Sequence, residues 1–81
     1  MNLKNKIKNF RKQQSMTQLQ LAQIVGVSRQ SIYAIETGRS EPSLVLSMKI
    51  ASALNSSVHD LFELEAPVST ETEALPSFSI F

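Results

Sequence analysis

Ser28-Arg-Gln-Ser-Ile-Tyr-Ala-Ile-Glu36 is the stretch of this sequence that decides how the rest of the chain is arranged. Ile32 and Ile35 are three residues apart, which is the spacing of a helix that buries one narrow side. At about 100° per residue, the side chains that turn away are Gln30, Tyr33, Ala34 and Thr37, with Arg29 on the flank. Such a face is either the ordinary polar surface of an amphipathic helix or a set of groups that contact base edges in a DNA major groove.

The sequence before this stretch predicts a second short helix and a tight turn between the two. Thr17 and Gln20 have the spacing of a capping box. Gly26 is placed to end that helix in a left-handed conformation, and Ser28 is placed to cap the next one. Two short helices joined by a glycine-containing turn are typical of a helix-turn-helix. The predicted buried side of the earlier helix comprises Leu21, Ala22 and Val25, with Leu19 and Ile24 on its flanks.

Three further helices complete the prediction. A first helix is expected over residues 3–14, because Leu3, Ile7 and Phe10 repeat at helical spacing. A fourth helix begins at Pro42, and its predicted inner side comprises Leu44, Ser47, Ile50, Ala51 and Leu54. A short fifth helix, capped by Ser57, closes the core with Val58, Leu61 and Phe62. We expect an all-α, compact five-helix domain over residues 1–63 and an acidic linker with an apolar tail over residues 64–81.

Length and composition exclude several classes of protein. The 81 residues suffice for one small domain. The absence of cysteine excludes disulfides and thiolate metal sites, and a cytoplasmic location is expected. No run of about 18 apolar residues exists, so no membrane span is predicted.

Charge is distributed unevenly along the chain. Residues 1–49 carry eight basic and two acidic side chains, a net charge of +6. Residues 50–81 carry five acidic side chains and no basic one, a net charge of −5. This pattern indicates a surface that faces a polyanion and a C-terminal segment kept away from it.

Nothing in the sequence indicates catalysis. The single histidine, His59, lies beside Asp60 at the start of a short helix, where a surface position is usual. The chain has only two glycines and no cluster of metal-ligating residues, so no phosphate-cradling loop, metal or cofactor is expected. We therefore predict that the protein is not an enzyme.

The combined motifs resemble the phage repressor and Cro-like family of bacterial transcriptional regulators, also called the xenobiotic-response-element type. The resemblance covers about residues 3–62. It is carried by Thr17-Gln18, Leu21-Ala22, Val25-Gly-Val-Ser-Arg-Gln-Ser-Ile32, Ile35-Glu-Thr-Gly-Arg39, Pro42-Ser43, Ile50-Ala51, Ala53-Leu54 and Asp60-Leu-Phe62. The resemblance implies a lambda-repressor-like fold and a sequence-specific regulator, such as a repressor, that binds double-stranded DNA with residues 28–36 in the major groove.

The resemblance also implies roles for individual side chains. Arg29 and Gln30 stand where the family reads bases, and arginine to guanine or glutamine to adenine are the bidentate pairs available. The other expected base-side contacts are Ser28, Tyr33 and Ala34. The expected phosphate contacts are Gln18, Thr17, Arg39, Ser31, Thr37 and Ser43. Arg11 and Glu36 stand where the family often forms an ion pair that joins the first helix to the reading helix.

Apolar side chains beyond those needed for the core suggest a second interface. A single reading helix covers few base pairs, so we expect a homodimer on a palindromic operator, with half-sites about 34–36 Å apart. The candidate interface residues are Val45, Leu46, Met48, Phe78, Ile80 and Phe81. The tail over residues 64–81 is either disordered or docked at that interface. The alternative function is a protein-interaction module, antitoxin-like or an adaptor, for which DNA binding is secondary.

Overall fold

The computed structural model describes residues 2–65, which form five α-helices and two short β-strands. The helices are α1 (Ile7–Gln13), α2 (Gln18–Val25), α3 (Arg29–Glu36), α4 (Leu44–Ala53) and α5 (Val58–Leu61). The strands are β1 (Asn2–Asn5) and β2 (Phe62–Glu65), which pair antiparallel. All five predicted helices are present, and the helical fold class is confirmed. The predicted division between residues 63 and 64 falls inside β2, and the tail beyond residue 65 lies outside the described residues.

The small sheet replaces the first turn of the predicted first helix. Leu3 lies opposite Leu64, and Asn5 lies opposite Phe62. Lys6 connects β1 to α1, and its backbone N–H donates to the carbonyl of Leu61 at 2.8 Å. The prediction of a helix from residue 3 was wrong, because helical spacing carries no information about a partner strand some 60 positions later. Phe62, predicted in the fifth helix, is likewise the first residue of β2.

The core lies between the helices and receives side chains from all five. It comprises Ile7, Leu21, Ala22, Val25, Ile32, Ile35, Ile50, Ala51, Leu54 and Leu61. The predicted buried sides of α2 and α3 are therefore confirmed. Burying these side chains is the main favourable term for so small a domain.

Leu44 is an exception that corrects the predicted inner side of α4. Its side chain is 69% exposed, because it is the first residue of α4 and lies at the edge of the core. Leu46 packs against the core instead. Ser47 is buried as predicted, and its hydroxyl donates to the carbonyl of Ser43 at 2.8 Å, which satisfies the polar group.

Local hydrogen bonds fix the connection between α2 and α3. The capping box of Thr17 and Gln20 is formed, as predicted. Gly26 ends α2 with a φ of 81°, a left-handed conformation that glycine adopts at little cost. Ser28 caps α3 by accepting the backbone N–H of Ser31 at 3.1 Å. Only two residues, Gly26 and Val27, separate α2 from the cap of α3, so the two helices have a defined relative position.

Two other kinds of site are absent from residues 2–65. No helix in this range is long and apolar enough to cross a membrane. No group of three or more histidine, cysteine, aspartate and glutamate side chains that would hold a metal ion occurs in the same range.

Candidate nucleic-acid interface

The outer face of α3 presents polar side chains to solvent. Arg29 and Gln30 are exposed, and Tyr33 is 44% exposed. Ala34 is half-buried, so its methyl group is less accessible than the neighbouring side chains. Ile32 and Ile35 are buried on the opposite side. The orientation predicted from the spacing of the two isoleucines is therefore confirmed.

Gln30 differs from its neighbours because its amide has no hydrogen-bond partner among residues 2–65. Ser28 and Ser31, by contrast, bond to each other through their hydroxyls at 3.0 Å in addition to the cap. An exposed amide with two donors and an acceptor is able to bind the N6/N7 edge of adenine. Gln30 thus keeps both amide donors and its amide oxygen available for a base.

A buried ion pair holds α3 to α1. Arg11 donates from Nε to Oε2 of Glu36 at 2.8 Å and from Nη2 to Oε1 at 3.1 Å. The side chains of Arg11 and Glu36 are only 8% and 3% exposed. Arg11 also donates from Nη1 to the carbonyl of Met16 at 2.8 Å. The predicted pair is present, and its two parallel bonds fix the C-terminal end of α3 relative to α1 and the start of α2.

The hydrogen-bond network continues from the ion pair to Arg29. Gln18 donates from Nε2 to Oε1 of Glu36 at 3.0 Å, and its Oε1 accepts from Nη1 of Arg29 at 3.3 Å. An ionised carboxylate only accepts hydrogen bonds, so Glu36 requires the amide nitrogen of Gln18 on its side and turns the amide oxygen toward Arg29. The sequence did not predict this chain of bonds. It engages the side chain of Gln18, which the resemblance places on a phosphate, and leaves one amide N–H for another acceptor.

A second set of contacts organises the C-terminal end of α3. The guanidinium of Arg39 lies over the ring of Tyr33, 5.9 Å from its centroid. The backbone N–H of Arg39 donates to the carbonyl of Ala34 at 2.8 Å. Thr37 donates its hydroxyl hydrogen to the carbonyl of Tyr33, with an oxygen-to-oxygen distance of 2.8 Å. The loop after α3 is therefore tied back to the last turn of the helix.

Asn5 also helps to hold α3 in place, and the sequence did not predict this role. Its Nδ2 donates to the carbonyl of Ile35 at 2.8 Å, and its Oδ1 accepts the backbone N–H of Ile7 at 3.3 Å. One side chain thus adds a second donor to the carbonyl of Ile35, which also accepts the backbone N–H of Gly38 at 3.1 Å, and satisfies an N–H at the start of α1. Asn5 lies one residue before Lys6, the N-cap position of α1, whose own side chain makes no cap bond. Asparagine close to the start of an apolar periodic run is the sequence signal that could have indicated this role.

The remaining phosphate candidates lie at helix starts. Thr17 and Ser43 are both exposed, and each accepts a backbone N–H three residues later, at 3.0 Å and 3.1 Å. First-turn N–H groups and the helix dipole favour an anion at such positions. Seven of the eight basic side chains are exposed, all within residues 1–49; they are Lys4, Lys6, Lys8, Lys12, Arg29, Arg39 and Lys49.

A separate apolar surface lies on α4. Leu44, Val45 and Met48 are 69%, 63% and 58% exposed. Leu46 was predicted at the interface, but it is half-buried against the core, so less of its side-chain surface is available to a partner. The tail candidates Phe78, Ile80 and Phe81 lie outside the described residues. On α2, Leu19 and Ile24 are also exposed, as predicted.

Known proteins share this arrangement of helices. Residues 7–61 match the helix-turn-helix family. A protein of Methanocaldococcus jannaschii named as an uncharacterized HTH-type transcriptional regulator is 46% identical over 63 residues, which are 78% of this chain and 96% of that protein.

Two solved structures are similar in sequence and in shape. The restriction-modification controller protein C.AhdI from Aeromonas hydrophila is 28% identical, with a TM-score of 0.64 over 67% of this chain and 82% of that chain. SinR, described as the master regulator for biofilm formation and solved in complex with DNA, is 31% identical, with a TM-score of 0.61 over 65% and 86%. The chain therefore belongs to the helix-turn-helix family. Within it, the chain is of the phage repressor and Cro-like type, a class of DNA-binding transcriptional regulators.

Proposed function

We propose that this regulator reads DNA sequence with α3, bound in the major groove as a homodimer on a palindromic operator. The observation that carries the proposal is the outer face of α3. Its exposed polar side chains stand on a helix that a buried ion pair and Asn5 hold at its C-terminal end. Fixed donors and acceptors of this kind suit base readout, because discrimination depends on their positions.

Arg29 and Gln30 carry the base discrimination in this proposal. Arginine pairs with O6 and N7 of guanine, and glutamine pairs with N6 and N7 of adenine. Gln18 accepts from one guanidinium N–H of Arg29, which restricts the directions in which the remaining donors point. Ser28 and Ala34 are the smaller candidates for contacts on the base side.

Phosphate contacts set the position of the domain on the duplex. The candidates are Thr17, Gln18, Ser31, Thr37, Arg39 and Ser43. For Gln18 we assign the contact to the backbone N–H and the unused amide N–H, since Oε1 and the other amide N–H are occupied. Thr37 donates its hydroxyl to a carbonyl, so it offers a phosphate only its backbone N–H or a rearranged hydroxyl.

The dimer is proposed to form through the apolar face of α4, where Val45 and Met48 are exposed. A second copy would cover these side chains, as a two-fold operator requires a two-fold protein. The tail residues Phe78, Ile80 and Phe81 are proposed to add to the same interface. Because its partner is DNA, we place the protein in the cytoplasm, acting as a non-enzymatic regulator without a metal or cofactor.

Binding to DNA with single base-pair changes tests the assignment of reading residues. The duplex is one that the protein enriches from a randomised pool. Arg29→Ala and Gln30→Ala should each lose roughly 1–3 kcal/mol of discrimination at one base pair of each half-site. Lys49→Ala, a charge removal on α4, is the control and should leave discrimination unchanged. If both α3 variants discriminate as the parent does, the assignment is wrong.

A protein-interaction module is the second candidate, and the exposed apolar face of α4 favours it. Salt dependence separates the two functions. Binding driven by phosphates weakens with salt, with a log–log slope near −0.9 for each phosphate neutralised. Affinity for DNA that is weak and independent of salt, together with tight binding of a protein on α4, would favour the module.

A further inference from the structure

We propose that Tyr33 contributes to DNA binding by positioning Arg39 for a phosphate, and that its hydroxyl reads no base. The proposal rests on the proposed function of α3 and changes the role of one residue within it. Tyr33 becomes a positioning residue, and Arg39 becomes the group that touches DNA at the C-terminal end of the reading helix.

The contact between the two side chains is direct. Arg39 Cζ lies 5.9 Å from the centroid of the Tyr33 ring, within the range of a cation–π interaction. Tyr33 is 44% exposed and Arg39 is exposed, so the pair stands at the surface next to the polar face of α3. The face of the ring is directed toward the guanidinium, and this contact does not involve the tyrosine hydroxyl.

The backbone of Arg39 is held as well as its side chain. The N–H groups of Arg39 and Ser40 both donate to the carbonyl of Ala34, at 2.8 Å and 3.2 Å. Gly38 has a φ of 79°, which turns the chain back over the end of α3. Arg39 is therefore fixed to α3 at both ends, by hydrogen bonds from the backbone and by the ring under the guanidinium.

The guanidinium remains able to bind an anion. Among residues 2–65, no carboxylate forms an ion pair with Arg39 and no hydrogen bond uses its guanidinium. Its five N–H donors suit a phosphate, which arginine binds with two parallel bonds. A side chain that is already ordered loses less conformational freedom on binding, so the ring should increase affinity without touching DNA.

Binding measurements on one duplex separate positioning from base reading. Tyr33→Phe keeps the ring, so its affinity and its preference at every base pair should stay within about twofold of the parent. Tyr33→Leu removes the ring and should weaken binding about two- to fivefold, the size of an exposed cation–π interaction. Arg39→Ala should weaken binding further and lower the magnitude of the salt slope by about 0.9. The double variant should bind no more weakly than Arg39→Ala alone, because the ring acts only through the arginine.

Spectroscopy tests the contact without DNA. The chain has one tyrosine and no tryptophan, so its fluorescence excited near 280 nm comes from Tyr33 alone. Arg39→Ala should change that emission in the free protein, whereas Lys49→Ala should not. Thermal melting of each variant shows that it is folded before its affinity is compared.

Three results would overturn the proposal. The first is a base preference that Tyr33→Phe alters. The second is that the losses of DNA affinity caused by Tyr33→Leu and Arg39→Ala multiply in the double variant. The third is tyrosine emission that Arg39→Ala leaves unchanged. A parent protein that binds no duplex, or binds without salt dependence, would instead overturn the proposed function.

Discussion

The outer faces of α3 and α4 differ in what holds their side chains. On α3, Arg29 donates to Oε1 of Gln18, which restricts the position of its guanidinium. Hydrogen bonds also hold the end of the helix to α1 and β1. On α4, Leu44, Val45 and Met48 are exposed apolar groups, for which position matters less than area. The difference indicates that α3 suits a ligand with directional hydrogen bonds, whereas α4 suits a partner that buries hydrocarbon.

The largest effect should follow from breaking the network beneath α3. Glu36→Ala leaves Arg11 buried without its partner, which should lower the free energy of unfolding by about 3–5 kcal/mol. Urea denaturation measures the change. The double variant Arg11→Met with Glu36→Leu removes both charges and should recover much of the loss. A loss below about 1 kcal/mol for Glu36→Ala would mean that the pair does not fix α3.

The apolar face of α4 should control assembly. Met48→Asp places a charge at the proposed dimer interface and should convert the dimer to a monomer, as measured by sedimentation. Affinity for a palindromic duplex should then fall roughly a hundredfold, because two linked half-sites bind far more tightly than one. Ile24→Asp alters an equally exposed residue on α2 and should leave the mass unchanged. An unchanged mass for Met48→Asp would remove α4 from the interface.

Removing one hydrogen bond at the C-terminal end of α3 or of α4 should have a smaller effect on stability. Asn5 donates to a carbonyl at the end of α3, and Gln14 donates to the carbonyl of Leu54 at the end of α4, at 2.6 Å. Asn5→Ala and Gln14→Ala should each cost about 1 kcal/mol of stability, the net value of one such bond. Only Asn5→Ala should also weaken DNA binding, measured at a temperature where both variants are folded. Equal effects on DNA binding would contradict a special role for the end of α3.

The smallest effect is expected at Leu44. Leu44→Gln should change the free energy of unfolding by no more than about 0.5 kcal/mol, as is usual at exposed positions. Leu54→Ala, on the buried side near the end of α4, should cost about 2–5 kcal/mol. Chemical denaturation of the two variants compares them directly. A large loss at Leu44 would show that it belongs to the core after all.

The sequence predicted those features that depend on neighbours along the chain. The helix-turn-helix was predicted closely because its signals are local, namely the capping box at Thr17, the glycine at Gly26 and the cap at Ser28. The exposed face of α3 followed from the spacing of Ile32 and Ile35. The Arg11–Glu36 pair came from the resemblance, since nothing in the spacing of residues 25 positions apart would join them.

The features that were missed depend on distant partners. β1 pairs with β2, which lies at the other end of the described region. Helical spacing near Leu3 could not indicate this partner, so Leu3 was wrongly predicted to lie in a helix. The bond from Asn5 to Ile35 spans 30 positions, and the orientation of Gln18 follows from the carboxylate it meets. Leu44 shares the helical spacing of buried residues but lies at the edge of the core, a difference that periodicity does not express.

Selection of DNA from a randomised pool by two forms of the protein tests the central claim most directly. The parent should enrich an inverted repeat whose half-sites are about one helical turn apart, roughly 34–36 Å. The double variant Arg29→Ala with Gln30→Ala should bind more weakly and enrich a motif that is blurred at the base pairs those side chains contact. Enrichment of the same motif with the same sharpness by both forms would contradict base reading by α3.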